Sequence, residues 1–355
     1  MFQGLQALPR TLELRREAGS FPARLAYVDQ RALPENLVIK EAQSSAELFD
    51  AISSLSLRGA PAIGVAGAAI LVLFIMNECE ARDPKELLEQ LEGLSEKTLA
   101  LRPTAVNLSW ALGRMMRLAR QSVAENDEIN ELKERLFSEV KLMERQDEAT
   151  NRRIGEIGER LIPQGGRVLT HCNAGSLATV FFGTALGLVY TAAAQGKIER
   201  VYVDETRPVG QGARLSAWEL DRVGIPTTLL ADDMAAVLMA QGKVDLVLVG
   251  ADRICANGDT ANKIGTYSLA IAARYHKLPF YVVAPSSSID MQLQSGKDVV
   301  IEHRSAGEFG YALGAGVEAF NPAFDITPAE LITAIVTEQG IFAPFELAAG
   351  FGCAH

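Results

Sequence analysis

Cysteine is scarce in this sequence of 355 residues, which contains four, and no two of them form a Cys-x-x-Cys pair. The four histidines have no metal-ligand spacing around them either. A disulfide framework fits neither this length nor this spacing, and a structural zinc site is not expected. The pattern is typical of a reducing compartment, so we expect a cytoplasmic protein. The cysteines are Cys79, Cys172, Cys255 and Cys353.

Clustered positive charge and membrane signals are also lacking. The chain carries 34 Lys and Arg against 44 Asp and Glu, a formal net charge of −10. Duplex DNA requires clustered basic side chains, so no nucleic-acid partner is expected. We expect no secretory signal, since the first residues lack the charged, then apolar, then small-residue pattern. We expect the longest apolar run, about residues 60–76, to be too short and too weakly apolar to span a bilayer, so no membrane contact is predicted.

The chain has enough apolar residues for two folded domains. Hydrophobic residues make up 48% of the sequence, and a chain of this length normally divides into two domains. A β hairpin is predicted from residues 24–30 and 37–40, and helical spacing follows it. We therefore expect a mainly helical N-terminal domain with a short β segment over residues 1–150. Its predicted helices span residues 46–56, 64–80, 84–100, 104–124 and 128–161.

From about residue 166 the pattern changes to short β-rich runs that alternate with helices. Such alternation predicts right-handed crossovers and a parallel sheet covered on both faces. The fold class we expect is α/β, with a Rossmann-like, doubly wound domain over residues 151–355. The predicted strands span residues 167–171, 200–203, 227–231, 244–249 and 280–284, and the predicted helices span residues 176–195, 212–223, 233–241 and 262–276.

The carboxyl ends of these predicted strands carry most of the reactive side chains. Ligands of open α/β sheets bind beyond the carboxyl ends of the strands, so we expect the site at this edge. Cysteine, carboxylate and arginine side chains meet there, whereas the strand interiors are apolar. These edge residues are Cys172, Asp204, Glu205, Thr206, Arg207, Asp232, Asp252, Arg253, Pro285 and Ser286.

Two arginines precede predicted helices in the N-terminal part. Arg58 stands before Gly59 and Ala60, small residues that leave backbone N–H groups exposed at a helix start. This pattern favours a phosphate cradle, in which the guanidinium binds two anion oxygens; the alternative is a surface arginine before a packed helix. Arg102 holds a similar place, and it either binds the same anion or is a solvated residue beside a turn.

Asp252 ends the most apolar strand of the sequence. Burial there would raise the pKa of its carboxyl group and suit a general acid at neutral pH. The alternatives are a helix N-cap and a pairing with Arg253. Lys263 is predicted in the first turn of the helix 262–276, where it opposes the helix dipole unless an anion lies beside it; a solvated lysine is the alternative.

Cys172 lies in the first turn after the first predicted strand of the α/β domain. An isolated cysteine is usually inert packing, but this one precedes a predicted helix N-terminus, where thiolate formation is favoured. The turn reads Cys-Asn-Ala-Gly-Ser and lacks the Gly-x-Gly-x-x-Gly of dinucleotide-binding folds. Glu205 stands where such folds hold a ribose, but without those glycines a dehydrogenase is a minor alternative.

Taken together, several stretches resemble the methylthioribose-1-phosphate isomerase family, from about Asp29 to about Phe345. They are RGAPAIG, RPTAVN, THCNAGSLAT, ETRP with GARLSAWEL, GADRI with NGDTANKIGTY, and FNPAFDITPAELITAIVTEQG. The resemblance implies that Cys172 is the catalytic cysteine and Asp252 the proton donor. It implies substrate binding by Arg58, Gly59, Ala60, Arg102, Gln211, Asn262 and Lys263.

The resemblance also implies the reaction, which converts 5-methylthioribose 1-phosphate into 5-methylthioribulose 1-phosphate in methionine salvage. It implies a sugar phosphate as the small-molecule partner, a homodimer, and neither a metal nor another cofactor. Cys255 departs from the family pattern, which has a small apolar residue there. Three alternatives remain open: an isomerase of ribose 1,5-bisphosphate or 5-deoxyribose 1-phosphate, a non-catalytic regulatory relative of the translation-initiation exchange-factor type, and a nicotinamide enzyme.

Overall fold

The computed structural model describes residues 3–17, 22–81, 83–102 and 106–351. Cys353, His355 and residues 103–105 of the predicted turn after Arg102 lie outside the described residues. The chain divides into two compact units. The N-terminal unit comprises Pro9–Ala149 and Leu177–Phe181, and the C-terminal unit comprises Met1–Leu8, Thr150–Ser176 and Phe182–His355.

The N-terminal unit begins with a three-stranded antiparallel sheet and continues as helices. The strands are β1 (Leu12–Arg16), β2 (Ala23–Val28) and β3 (Ile39–Ala42), and the helices are α1 (Ser45–Ser53), α2 (Ala60–Leu73), α3 (Pro84–Leu99), α4 (Val106–Ala124) and α5 (Ile129–Gly158), whose last residues belong to the C-terminal unit. β2 pairs with β3 as the predicted hairpin. β1 was not predicted, and it pairs with the other side of β2.

Local signals set the starts of these helices. Ser44 caps α1 and forms a capping box with Glu47. Asp83 caps α3 through two backbone N–H groups, and Pro84 is the first residue of that helix.

α2 is the core helix of the N-terminal unit and lies against α4. Gly64 allows this contact, because a Cβ atom there would come within 2.8 Å of the Asn107 carbonyl oxygen. By length and composition Ala60–Glu78 is able to cross a membrane, so the expectation that this run is too short was wrong. In the structure, 83% of its most apolar window is buried, as in the core helix of a globular unit.

The C-terminal unit contains a large seven-stranded sheet and a small four-stranded sheet. The strands are β4 (Gly166–Thr170), β5 (Ile198–Asp204), β6 (Thr227–Leu230), β7 (Leu246–Val249), β8 (Arg253–Cys255), β9 (Thr260–Lys263), β10 (Phe280–Val283), β11 (Ile289–Asp290), β12 (Phe324–Thr327), β13 (Ala334–Thr337) and β14 (Gly340–Phe342). The helices are α6 (Ala185–Ala194), α7 (Ala217–Arg222), α8 (Ala235–Ala240), α9 (Thr266–Tyr275) and α10 (Leu347–Phe351).

The large sheet has the order β14-β13-β10-β7-β4-β5-β6, and only β14 runs antiparallel to its neighbour. β4 comes first along the chain and lies in the interior of the sheet, so the strand order reverses between β4 and β7. This is the Rossmann-like, doubly wound arrangement, and the predicted α/β fold class is confirmed. The crevice beyond the carboxyl ends at such a reversal is where ligands of these sheets bind.

Two predicted helices of this unit had the wrong bounds. The predicted helix 176–195 is a 3₁₀ turn at Ser176–Ala178, and α6 begins only at Ala185. The predicted helix 262–276 begins instead at Thr266, because β9 occupies the residues before it. β9 pairs with β12, which lies much later in the chain, within a small sheet of order β11-β8-β9-β12. Such pairing leaves no local signal in the sequence.

Candidate active site

Cys172 and Asp252 follow neighbouring strands of the large sheet. Cys172 comes after β4 and Asp252 after β7, and these two strands pair in parallel. A Cβ atom on Gly250 would come within 2.9 Å of the Ala174 Cβ, so the loops that follow the two strands approach closely. The loops that carry the thiol and the carboxyl group therefore meet at one edge of the C-terminal unit.

Cys172 is held in an uncommon backbone conformation. Its φ angle is +61°, in the left-handed region, and Thr206 has a φ of +68°. A residue other than glycine costs about 1–3 kcal/mol in that region, so the surroundings must hold it there. The Cys172 N–H donates to Thr206 Oγ1 (2.8 Å), and the Ser216 hydroxyl donates to the Cys172 carbonyl oxygen (2.7 Å). Cys172 itself is 8% exposed.

The turn after Cys172 differs from the expected helix start. Among the described residues 171–184 no α-helix begins, and the first helical turn is the 3₁₀ segment Ser176–Ala178. The prediction of a helix N-terminus beside the thiol was therefore wrong. The left-handed backbone, rather than a helix dipole, distinguishes this cysteine.

A buried carboxylate, Glu219 on α7, organises the turn that follows β4. Its oxygens accept hydrogen bonds from the Asn173 side-chain amide (2.9 Å), the Ser176 N–H (2.6 Å) and the Tyr190 hydroxyl (2.8 Å). A Cβ atom on Gly175 would lie 2.4 Å from this carboxylate, which explains the glycine there. Glu219 belongs to the GARLSAWEL stretch but was not predicted as a site residue, because its burial depends on packing between distant segments.

Three further groups cluster at this edge: His171, Asp204 and Asp232. Their ligand atoms lie within 4.8 Å of one another, a spacing that metal sites share. Hydrogen bonds already engage them, because His171 Nδ1 lies 3.0 Å from Asp204 Oδ2 and Asp232 accepts from the N–H groups of Thr206 and Arg207 (2.7 Å each). We therefore treat the cluster as a hydrogen-bonded network. Both aspartates were predicted at this edge, whereas His171 was not, although it belongs to the THCNAGSLAT motif.

Asp252 lies in the loop between β7 and β8 and is half-buried. Its N–H donates to the carbonyl oxygen of Ala261 in β9 (3.0 Å), which ties this loop to the small sheet. β8 is a strand, so the alternative that Asp252 caps a helix was wrong. Arg253, the residue that follows, forms an ion pair with Asp290 at 3.3 Å.

Asn262 and Lys263 lie at the end of β9, so the helix-dipole argument for Lys263 was wrong. The N-terminus of α9 is occupied instead by the Asp325 carboxylate, which accepts from the N–H groups of Gly265 (2.7 Å) and Tyr267 (3.1 Å). Burial raises the pKa of Asp325 to about 6. An anionic ligand of Lys263 would therefore have to approach from outside this helix start.

Two predicted substrate-binding amides are almost fully buried in the C-terminal unit. The Asn262 side-chain amide donates to the Thr266 hydroxyl (3.0 Å). Gln211 is 5% exposed, and its Oε1 has no hydrogen-bond partner among the described residues. Leaving a buried amide oxygen without a hydrogen bond lowers stability by about 1–3 kcal/mol. A ligand hydroxyl group that donates to this oxygen would remove that cost.

The remaining predicted residues belong to the N-terminal unit. Gly59 is the N-cap of α2 with a φ of +98°, and a Cβ atom there would come within 2.4 Å of Ala178, so the position requires glycine. Ala60 is the first residue of α2, and a proline follows it in the first turn. Arg58 and Arg102 are half-buried. Their part in substrate binding stays a prediction.

Residues 56–344 match the sequence pattern of the initiation factor 2 subunit family. The chain belongs to this family. It is 51% identical to the methylthioribose-1-phosphate isomerase of Pelotomaculum thermopropionicum, over 90% of this chain and 88% of that one. It is 49% identical to the 5-deoxyribose 1-phosphate isomerase of Moorella thermoacetica, over 90% and 93% of the two chains.

The fold agrees with that of a solved structure over nearly the whole of both chains. The crystal structure of 5-methylthioribose 1-phosphate isomerase from Pyrococcus horikoshii OT3 has a TM-score of 0.87 and 42% identity, and the match covers 99% of this chain and 97% of that chain. The resemblance found in the sequence is thereby confirmed. The range matched to the initiation factor 2 subunit family includes Cys172, Asp252 and every residue expected to bind substrate.

Proposed function

We propose that this member of the initiation factor 2 subunit family is an aldose–ketose isomerase that converts 5-methylthioribose 1-phosphate into 5-methylthioribulose 1-phosphate in methionine salvage. The observation that carries the proposal is the position of Cys172 and Asp252 after β4 and β7, on the two sides of the strand-order reversal. Doubly wound sheets bind their ligands at that point. Relatives with about half of their residues identical carry the isomerase name, which supports the choice of reaction.

The substrate sets a definite chemical problem. Its anomeric carbon carries the phosphate, so the ring cannot open to the free aldehyde that ordinary aldose isomerases use. We propose that Asp252, protonated, donates its proton to the ring oxygen while the bond between that oxygen and C1 breaks. A general acid is needed because an unprotonated ring oxygen is a poor leaving group.

Hydrogen then moves from C2 to C1, and we propose that Cys172 serves this step. In one route the thiolate removes the C2 hydrogen as a proton, and the resulting enol is reprotonated at C1. In the other route the hydrogen shifts as a hydride while the proton on the C2 hydroxyl leaves, and Cys172 lines the pocket. Both routes end with the carbonyl group at C2.

Substrate deuterated at C2 separates the two routes. Complete retention of deuterium in the product favours the hydride shift, whereas exchange with solvent requires an enol. The measurement is the NMR spectrum of the ketose formed in ordinary water. The same spectrum reports whether any ketose forms, and thus tests the reaction itself.

Phosphate binding would supply orientation and stabilise developing charge. Two amide side chains would bind the sugar hydroxyls, and the buried, unsatisfied Oε1 of Gln211 supports this role. The proposed phosphate ligands are Arg58, Gly59, Ala60, Arg102 and Lys263, and the proposed hydroxyl ligands are Gln211 and Asn262.

Replacing Asp252 by Asn tests the general acid directly. We expect kcat to fall by roughly 10²- to 10⁴-fold, the usual contribution of such a group. The matched control is Asp233→Asn, the same change at an exposed position after β6, which should leave kcat unaltered. Near wild-type turnover by Asp252→Asn would refute the assignment. Absence of turnover by the wild-type chain would favour the non-catalytic regulatory alternative.

A second candidate substrate is 5-deoxyribose 1-phosphate, because a relative 49% identical to this chain carries that name. The two sugars differ only in an apolar 5-substituent. Values of kcat/KM for both sugars and for ribose 1,5-bisphosphate rank them. We expect methylthioribose 1-phosphate to give the highest value, and a higher value for either of the others would reassign the substrate.

We also propose a homodimer, as the resemblance implies. α8 and α9 pack together, and both expose large apolar side chains at their surface. Sedimentation velocity of the wild type and of Ile271→Glu would test this, since a charge in a buried interface weakens association. A wild-type monomer at micromolar concentration would contradict the proposal. The exposed apolar residues on these helices are Val237, Tyr267, Ile271 and Tyr275.

A further inference from the structure

His171 has both ring nitrogens directed at hydrogen-bond acceptors. It is 1% exposed and directly precedes Cys172. Nδ1 lies 3.0 Å from Asp204 Oδ2, and Nε2 lies 2.9 Å from the carbonyl oxygen of Ile264. A carbonyl oxygen only accepts, so Nε2 must carry a hydrogen atom.

A neutral imidazole has only one N–H group, which the Ile264 contact already requires. Its unprotonated Nδ1 would then face the carboxylate of Asp204, and two lone pairs would oppose each other. An imidazolium ion donates to both acceptors and removes this conflict, whereas a neutral ring would require a protonated Asp204 that donates to Nδ1. Asp204 Oδ1 has no hydrogen-bond partner among the described residues, so the carboxylate in turn depends on the ring.

Charges around the ring favour the cation. The charged groups that act on it are Asp204 at the end of β5, Asp232 after β6 and Asp325 on β12. Burial opposes the charge, but the Asp204 carboxylate, the Ile264 carbonyl and Asp232 together raise the pKa of His171 above its ordinary value. Burial also raises the pKa of Asp204, although the His171 ring works against that rise. The protonation state of the ring therefore distinguishes an ion pair from a neutral pair.

The ring connects three segments that carry the proposed active-site residues. Ile264 directly follows Lys263, and a Cβ atom on Gly265 would lie 2.7 Å from His171 Cε1, so this loop packs on the ring edge. On the other side, the Asp204 carbonyl accepts from the Thr206 hydroxyl (3.0 Å), whose oxygen accepts the N–H of the residue after His171. The ends of β4, β5 and β9 are thus joined through one side chain.

We propose that His171 is a positioning residue of the isomerase reaction, which acts as a doubly protonated imidazolium clamp between the end of β4 and the loop after β9. This inference rests on the proposed function. The clamp holds Cys172 at a set distance from Asn262 and Lys263, and a displacement near 1 Å at such a site costs about 10²-fold in rate.

Nitrogen NMR of protein labelled with ¹⁵N-histidine tests the protonation state without any substrate. The chain has four histidines, and loss of one signal in His171→Gln assigns it. We expect both ring nitrogens of His171 to show the protonated shift at pH 7.5. A neutral tautomer at that pH would overturn the proposal.

Two variants test the positioning role. His171→Gln cannot reach both acceptors at once, and we expect kcat to fall 10- to 100-fold. In Asp204→Asn the amide donates to Nδ1 of a neutral ring and keeps both hydrogen bonds, so its loss of kcat should be clearly smaller. The matched control is His276→Gln, at a half-buried histidine at the end of α9, which should not change kcat.

The pH profile separates positioning from a merely structural role. In the wild type, loss of the imidazolium NMR signal at high pH should be accompanied by a fall in kcat. The signal disappearing while kcat holds would overturn the proposal, as would wild-type kcat in His171→Gln. If the wild type turns over none of the sugar phosphates, the proposed function fails, whereas the NMR result on His171 still stands by itself.

Discussion

Cys172 follows β4 of the large sheet, whereas Cys255 ends β8 of the small sheet. Both are buried in the C-terminal unit, and Cys255 has no exposed surface at all. Cys172 has a left-handed backbone and polar neighbours that bind its N–H and carbonyl groups. Cys255 packs in a small apolar cluster with Ala261 and Val299.

The two cysteines have different chemical surroundings, and we expect their thiols to differ in function. Burial, with the nearby charges of Asp259 and Asp290, raises the pKa of Cys255 to about 11, so it stays a neutral thiol at physiological pH. Around Cys172, a strained turn is maintained by buried polar groups, although strain of this kind lowers stability. Burial alone therefore does not distinguish the two cysteines, whereas backbone strain with satisfied polar partners makes Cys172 the candidate for a functional role.

The largest expected difference between the two cysteines is in catalysis. Cys172→Ala should lower kcat by roughly 10²- to 10⁴-fold if the thiol takes part in hydrogen transfer. Cys255→Ala makes the same change in the apolar cluster and should retain kcat within a few-fold. Steady-state assays of both variants check this. Equal losses would show that the comparison has no functional meaning.

The next largest expected effect is on the rate at which iodoacetamide alkylates Cys255. With a pKa of about 11 against an ordinary 9.0, Cys255 has about 10²-fold less thiolate at pH 8 and should react correspondingly slowly. Its rate should rise about tenfold for each pH unit up to about 11. Mass spectrometry of digested protein measures each site. Rapid labelling of Cys255 in native protein at pH 8 would contradict the burial argument.

Asp325 connects the two regions, because it caps α9 from β12 of the small sheet and faces His171. Its pKa of about 6 in the folded protein exceeds the ordinary 3.8, so its contribution to stability is full below about pH 4 and is lost as pH rises through 6. The size is roughly 3 kcal/mol. Urea unfolding from pH 4 to 7 should show this slope in the wild type and a flatter one in Asp325→Asn.

The pKa of Asp259, beside Cys255, is shifted in the opposite direction to that of Asp325. Burial works against its charge, but hydrogen bonds from Asn257, Gly296 and Ala329 lower its pKa below the ordinary value. Its contribution is therefore present above the ordinary pKa and is lost as pH falls. In Asp259→Asn the free energy of unfolding should therefore depend less on pH at acid pH than in the wild type. The same pH dependence in Asp259→Asn and Asp325→Asn would contradict both assignments.

Two glycines with positive φ should show the smallest effects. A Cβ atom on Gly265 (φ +103°) would meet His171 at 2.7 Å, and one on Gly258 (φ +88°) would meet Pro344 at 2.6 Å. Each change to Ala should cost about 1–3 kcal/mol in the free energy of unfolding. We expect only Gly265→Ala to lower kcat as well. Thermal unfolding and steady-state kinetics, measured on both variants, check this difference.

Much of the large sheet could be predicted from the sequence. The apolar runs that became β4, β5, β6, β7 and β10 are short, β-rich and separated by helical spacing, which is a local signal. From these strands alone it followed that Cys172 and Asp252 should lie at one edge. The prediction was possible because parallel strands joined by right-handed crossovers all end on the same side.

The small sheet could not be predicted in the same way. Asn262 and Lys263 were predicted to begin a helix, but Thr260–Lys263 pairs with Phe324–Thr327 and becomes β9. The backbone hydrogen bonds of a sheet come from distant segments, so no window around Lys263 contains the deciding information. The same holds for Glu219, whose partners come from the turn after β4 and from α6.

The amino-acid order by itself determined which side chains stand at the strand ends, since alternating local periods place each strand and its last residue. Only the tertiary structure decided the left-handed turn at Cys172 and the two acceptors around the His171 ring. Both depend on partners brought from the end of β5 and the loop after it, from Ser216 just before α7, and from the loop after β9. Protonation and strain are set by which groups surround a residue in space, and neighbours along the chain do not specify that.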